Sequence, residues 1–112
     1  MKNITYITRE NIISIVKGLT SNDIIITDNE VIVELINKYN RTCKNVEYHS
    51  RKTLHSEIEN RKPSIVFLLF NSEKTIDFIN SILPNTVIYT FELSDTDKII
   101  NNAVEELESL TD

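Results

Sequence analysis

Two hydrophobic rhythms take turns along this chain, and they do so five times. Short runs rich in isoleucine, valine and phenylalanine read as strands, and stretches with apolar residues three and four apart read as helices. The first strand spans Asn3–Thr8 and alternates weakly; Thr8 then stands where it can cap a helix over Arg9–Lys17, with Ile12, Ile13, Val16 and Leu19 on its buried side. Gly18 follows, where a helix C-terminus favours a residue free to take positive φ. Asp23–Thr27, with three consecutive isoleucines, is the second strand, and Asp28 caps a helix in which Ile32, Leu35, Ile36 and Tyr39 share a face. The third strand, Asn45–His49, alternates Val46 and Tyr48 with Glu47 and His49. Ser50 caps the helix after it, which has little to bury beyond Leu54 and Ile58. After Pro63 the fourth strand runs Ser64–Phe70, and its helix, Glu73–Leu83, stops before Pro84. Thr86–Phe91 is the fifth strand. Ser94 or Asp95 opens a last helix with Ile100, Ala103, Val104 and Leu107 on one stripe and Glu105, Glu106 and Glu108 off it.

Strands alternating with helices imply parallel pairing through right-handed crossovers, so the fold class is α/β. The expectation is a single three-layer α/β/α domain over residues 1–112, around a five-stranded, mostly parallel sheet. Strands 2 and 4 are continuous apolar runs and belong inside the sheet, whereas strand 3 alternates and belongs at an edge. The order 3-2-1-4-5 satisfies both conditions. The flavodoxin-type order 2-1-3-4-5 is the alternative, and it leaves the triple-isoleucine strand at an edge.

From Asp23 the text runs IIITDNEVIVELINKYN and then NVEYHSRKTLHSEIENRKPSIVFLLF. Over residues 23–69 this resembles the opening half of a bacterial response-regulator receiver domain. In that comparison Asp28-Asn29 stands where the receiver has its acidic pair, and Lys62-Pro63-Ser64 stands at the turn into the third apolar strand. The departures concern the chemistry. Asn29 replaces one acid of the metal-binding pair, and Leu69 falls where the phosphoacceptor aspartate belongs. The chain also starts one strand–helix unit early and lacks one at the end. The resemblance therefore implies a Rossmann-like regulatory scaffold without the phosphorylation chemistry.

Composition narrows the functions. The 112 residues include 18 isoleucines against one alanine, Ala103, and a single glycine, Gly18, so the core is bulky and β-branched. With that glycine spent on a helix end, no glycine-rich phosphate cradle is left, and a classical dinucleotide or ATP loop is excluded. The net charge of −5 weighs against a nucleic-acid binder, which needs a basic face to displace phosphate counterions. Residues 41–62 are nevertheless basic and residues 92–112 acidic. Cys43 has no partner for a disulfide, no run is apolar enough to span a membrane, and no signal-peptide core opens the chain, which together point to the cytosol.

In an open parallel sheet, ligands bind beyond the carboxyl ends of the strands, where the order reverses. For 3-2-1-4-5 that point lies between strands 1 and 4, which makes Thr8, Arg9, Asn71 and Ser72, with Asp28 and Asn29 beside them, the candidate ligand residues. Cap residues at helix N-termini present free N–H groups to an anion, and Arg9 adds a charged fork for a small phosphorylated ligand. Catalysis is poorly provided for. His49 and His55 lack the spacing of a helical zinc pair, and nothing places a base beside Cys43, whose thiol the neighbouring cations should acidify. No cofactor or metal is indicated. A small hydrolase built on His49 or His55 is the weakest of the readings. The leading expectation is a non-catalytic regulatory module that binds a protein partner through Arg41, Lys44, Arg51, Lys52, Arg61 and Lys62. Strand 3, as an exposed edge, could pair with its copy in a homodimer. A small-anion or nucleotide sensor with its crevice at the strand ends is the second expectation.

Overall fold

The alternation demands parallel pairing, and the computed structural model, which describes residues 3–70, 72–91 and 97–111, has it in every strand pair. In chain order the elements are β1 (Ile4–Tyr6), α1 (Ile12–Lys17), β2 (Ile25–Thr27), α2 (Glu30–Tyr39), β3 (Val46–Tyr48), α3 (Arg51–Arg61), β4 (Ile65–Leu68), α4 (Glu73–Ile82), β5 (Val87–Thr90) and α5 (Asp97–Thr111). The α/β class is as read from the sequence. Ser94 and Asp95, the two candidates for the start of the last helix, lie outside the described residues.

The strand order is β1-β5-β4-β2-β3, which is neither of the two orders expected. Three strands stand where their burial pattern puts them: β3 is an edge, and β2 and β4, buried at every position, lie inside. The correction concerns β1. Only its Ile4 is partly covered, while Thr5 and Tyr6 are exposed, so the outer edge costs this strand little. An inner place would have desolvated both hydroxyl side chains. β5, with Ile88 and Thr90 fully buried, takes that inner place instead.

Two rows of side chains run across the sheet. Ile25, Ile65 and Val87 are in register on one face, and Ile26, Val66 and Ile88 on the other. The first face, with Phe67 and Leu69, packs against α1, α2 and α5 through Ile12, Val16, Ile32, Leu35, Ile36, Ala103 and Leu107. The second, with Leu68, packs against α3 and α4 through Leu54, Ile58, Ile76 and Ile79. The two crossovers that run toward β3 (β1 to β2 and β2 to β3) use the first layer. The two that run back (β3 to β4 and β4 to β5) use the second. All four thus share one hand, as the steric rule for parallel crossovers requires.

Both ends of α1 differ from expectation. Residues 9–11 form a turn, not a first helical turn. Thr8 Oγ1 accepts the Asn11 amide at 3.2 Å, and Asn11 Oδ1 accepts the Thr8 amide at 2.7 Å. At the other end of α1, Gly18 has φ −82°, not a positive value. Buried Asn40 supplies the missing cap from outside the helix: its Nδ2 donates to the carbonyls of Val16 and Leu19, both at 2.8 Å. The left-handed helix end belongs to Lys62, with φ 48°.

A Cβ on Gly18 would meet only the Ser14 and Ile15 carbonyl oxygens at 3.5 Å, which is ordinary contact. Gly18→Ala should therefore stabilise the chain by about 0.5 kcal/mol or more, by narrowing its unfolded ensemble. Denaturant midpoints measure this, and a loss of about 1 kcal/mol would show that the glycine is conformationally required.

Candidate functional site

The observed order moves the point of reversal. From β2 the chain steps outward to β3 and then back past β2 to β4, and α2 and α4 leave on opposite faces. The ligand position dictated by topology is therefore beyond the ends of β2 and β4. A cavity of about 230 Å³ lies there, lined by Asp28, Arg51, Leu54, His55, Leu68, Phe70, Ser72 and Thr75.

Each lining group is held by a local reason. Asn29, extended at φ −140°, caps α2 by accepting the Val31 amide at 2.8 Å, which frees the neighbouring Asp28 from the capping role expected of it. Asp28 reaches across to β4 instead: Oδ1 accepts the Leu69 amide at 2.7 Å and Oδ2 the Phe70 amide at 3.3 Å. Arg51, the first residue of α3, lays its guanidinium over the Phe70 ring, 3.5 Å from the centroid. That stacking orients a planar fork of donors while leaving its edges able to bond an oxyanion. One turn later His55 stacks on Phe78 at 4.6 Å and shares a 2.9 Å hydrogen bond between Nε2 and Thr75 Oγ1. Ser72 caps α4, accepting the Thr75 amide at 3.4 Å. The first amides of α3 and α4 have no partner within their helices, so both helix dipoles favour negative charge nearby.

Asp28 is 8% exposed, and its carboxyl is pushed up to about 6. Burial is the dominant cause, and it outweighs the backbone amide hydrogen bonds from Leu69, Phe70 and Asp28 itself and the Arg51 charge, all of which favour the ionised form. The crevice thus holds a permanent cation, a histidine, two hydroxyls and a carboxyl group pushed up to about 6.

The sequence-based candidates divide. Asp28 and Ser72 line the cavity, and Asn29 adjoins it as the α2 cap. Asn71 lies outside the described residues. Thr8 and Arg9 follow β1, at the sheet edge far from β2, and do not line the cavity. The basic set also separates. Arg51 and Lys52 begin α3, whereas Arg61 and Lys62 end it, about 15 Å away at 1.5 Å per residue. Arg61 pairs with Glu47 at 3.2 Å, and Arg51 is the member of the set that enters the crevice. Phe70 and Thr75 are not among the sequence-based candidates, and His55 enters there only for hydrolysis, because only the observed strand order brings α3 and α4 over the end of β4.

His49 lies 3.9 Å from Glu47 on the side of β3 that faces Arg61, outside the cavity. Cys43 is buried and donates its thiol to the Thr20 carbonyl at 3.4 Å. Burial pushes the thiol up, the reverse of the acidification expected from nearby cations, which suits a packed side chain and not a nucleophile. Among the described residues no cluster of His, Cys, Asp or Glu could hold a metal, and no helix is long and apolar enough to cross a membrane. No protein-family model, curated protein or solved structure matches the chain.

The raised carboxyl fixes a sign. The folded chain holds the Asp28 proton more tightly than the unfolded chain, so this group's contribution to stability falls as pH rises from about 4 to about 6. Two pKa units correspond to about 3 kcal/mol at most. The stability of the native chain relative to Asp28→Asn should accordingly decline across that window. Urea unfolding of both at about pH 4.5 and about pH 7 tests the sign, and a relative stability that rises with pH contradicts it.

Proposed function

We propose that this chain is a non-catalytic, cytosolic α/β module that binds a small oxyanion, phosphate-like or carboxylate-like, in the crevice between the ends of β2 and β4. One observation carries the reading. Arg51, His55, Ser72 and Thr75, drawn from two helices, converge on a single cavity at the topological switch point. Cavities in parallel sheets are commonly ligand sites at that place, and this one offers charged and hydroxyl donors to an anion. Its volume suits a small group and not a dinucleotide. The receiver-like stretch falls on β2, β3 and β4, which include the two strands that frame the crevice. Leu69, at the phosphoacceptor position, is fully buried, which agrees with binding in place of phosphotransfer.

The protein-partner reading keeps support from one feature. Arg51 and Lys52 are both exposed at the start of α3, so the anion could be presented by the side chain of a docking protein. The basic face in that case is this pair at the crevice mouth, and not all six residues.

Titration with sodium sulfate or inorganic phosphate, followed by amide NMR, should shift Leu69, Phe70 and Ser72 saturably. Arg51→Ala should weaken binding by roughly ten- to a hundredfold, the worth of hydrogen bonds to a charged group. Arg9→Ala should leave it unchanged. Flat spectra in the native chain, or equal affinity in Arg51→Ala, would remove the crevice as an anion site.

A further inference from the structure

Taken as an anion site, the crevice presents a problem of charge, and the inference drawn from that problem rests on the proposed function. Asp28 lines the same cavity of about 230 Å³ as the donors that would hold the anion. A carboxylate and an anion in the same cavity repel, and the burial of Asp28 weakens the solvent screening between them. Arg51 is the single permanent cation among the lining residues, and it cannot neutralise both. The Asp28 side chain cannot swing away without abandoning the Leu69 and Phe70 amides, which would be left unpaired beside a buried strand end.

We propose that the crevice takes up its anion together with a proton from solvent, and that Asp28 is the group that receives this proton. When the site is filled, Asp28 is a neutral carboxylic acid. When it is empty at neutral pH, Asp28 is a carboxylate that holds anions off. The hydrogen-bond geometry says which oxygen is protonated. Oδ1 keeps its short 2.7 Å bond from Leu69, while Oδ2, held by the longer 3.3 Å bond from Phe70, is the more weakly engaged oxygen and takes the proton. The resulting O–H can donate to the anion, so a repulsive group becomes a donor.

Other groups facing the cavity must be kept apart from this effect. From α3 these are Arg51, a permanent cation, and the imidazole of His55. From α4 only the hydroxyls of Ser72 and Thr75 line it. The first-turn acids Glu30 of α2 and Glu73 of α4 are exposed and outside the lining.

Sulfate is the probe, because it keeps its charge across the range. Calorimetric titration at fixed ionic strength, from about pH 5.5 to about pH 7.5, should show affinity falling toward tenfold per pH unit at the upper end. Asp28→Asn should still bind sulfate but lose that slope, and His55→Gln should keep it. A slope that survives in Asp28→Asn, or that disappears in His55→Gln, overturns the proposal. Sulfate binding with no pH dependence overturns the coupling and leaves the crevice reading intact. An absence of binding at every pH overturns both. Asp28→Asn sets an amide donor against the Phe70 N–H, so a second measurement uses the native chain alone. The Asp28 carboxyl carbon, titrated by NMR, should have a higher midpoint with sulfate than without, by reciprocity of the coupling. An unchanged midpoint refutes it.

Discussion

The bond from the Leu69 amide to the Asp28 carboxylate, at 2.7 Å, is the constraint on which the top of this sheet depends. β2 and β4 are neighbours in the sheet, but the helices that follow them leave on opposite faces, so the strands must part where the backbone pairing stops. Parting exposes the amides at the exit of β4 with no strand left to accept them. Leu69 is buried in the layer of α1 and α2, and an unpaired amide there would cost about 1–3 kcal/mol. Asp28 reaches across the gap and satisfies two of these amides at once. In doing so it fixes the width of the crevice and places a charge in its wall. The elevated carboxyl pKa is the consequence of using an ionisable side chain as a strap in a buried place.

The second strand end shows how the same gap is furnished from the other layer. α3 and α4 pack side by side through Leu54, Ile58, Ile76 and Ile79, and their first turns arrive together above β4. Arg51 is steadied by the Phe70 ring and His55 by Phe78 and Thr75, so neither depends on a ligand for its position. Preorganised donors bind without first losing the rotamer freedom of long side chains, which is the main cost of small charged sites on surfaces.

Much of this is legible in the sequence, for reasons tied to particular residues. The unbroken apolar runs of β2 and β4 can be buried only inside the sheet, and the alternation of Val46, Glu47 and Tyr48 suits an edge; both statements follow from side-chain period alone. β1 is not placed by its own residues, because Ile-Thr-Tyr tolerates either an edge or a half-covered inner position, and the residues of β5 that compete for that position lie more than eighty residues away. Adjacent Asp28 and Asn29 are equally good helix caps by type. Which one caps and which one straps is decided by β4, about forty residues on. Arg51, His55 and Thr75 meet only through the packing of α3 on α4, so no local pattern could have joined them.

Counted from β2, the strands lie in the order 2-1-3-4, and β1 fills the fifth place, so the sheet has the flavodoxin-type order with its last strand supplied by the start of the chain. A simple cut and rejoining does not produce this chain. A crossover from β5 to β1 with the common hand would run through the layer of α3 and α4, yet Ala103 and Leu107 of α5 pack with α1 and α2. The switch point between β2 and β4 follows from the order of the inner strands and is indifferent to where the chain begins. What fills it is specific to this sequence. A buried leucine stands at the end of β4, an asparagine is spent on a cap, and an arginine arrives from the third helix. With no glycine at the strand ends, Cβ atoms prevent the backbone from enclosing a phosphate, and recognition falls to side chains alone. On the proposed reading, a crevice so built selects a small ligand by charge and protonation, because those are the properties its residues can read.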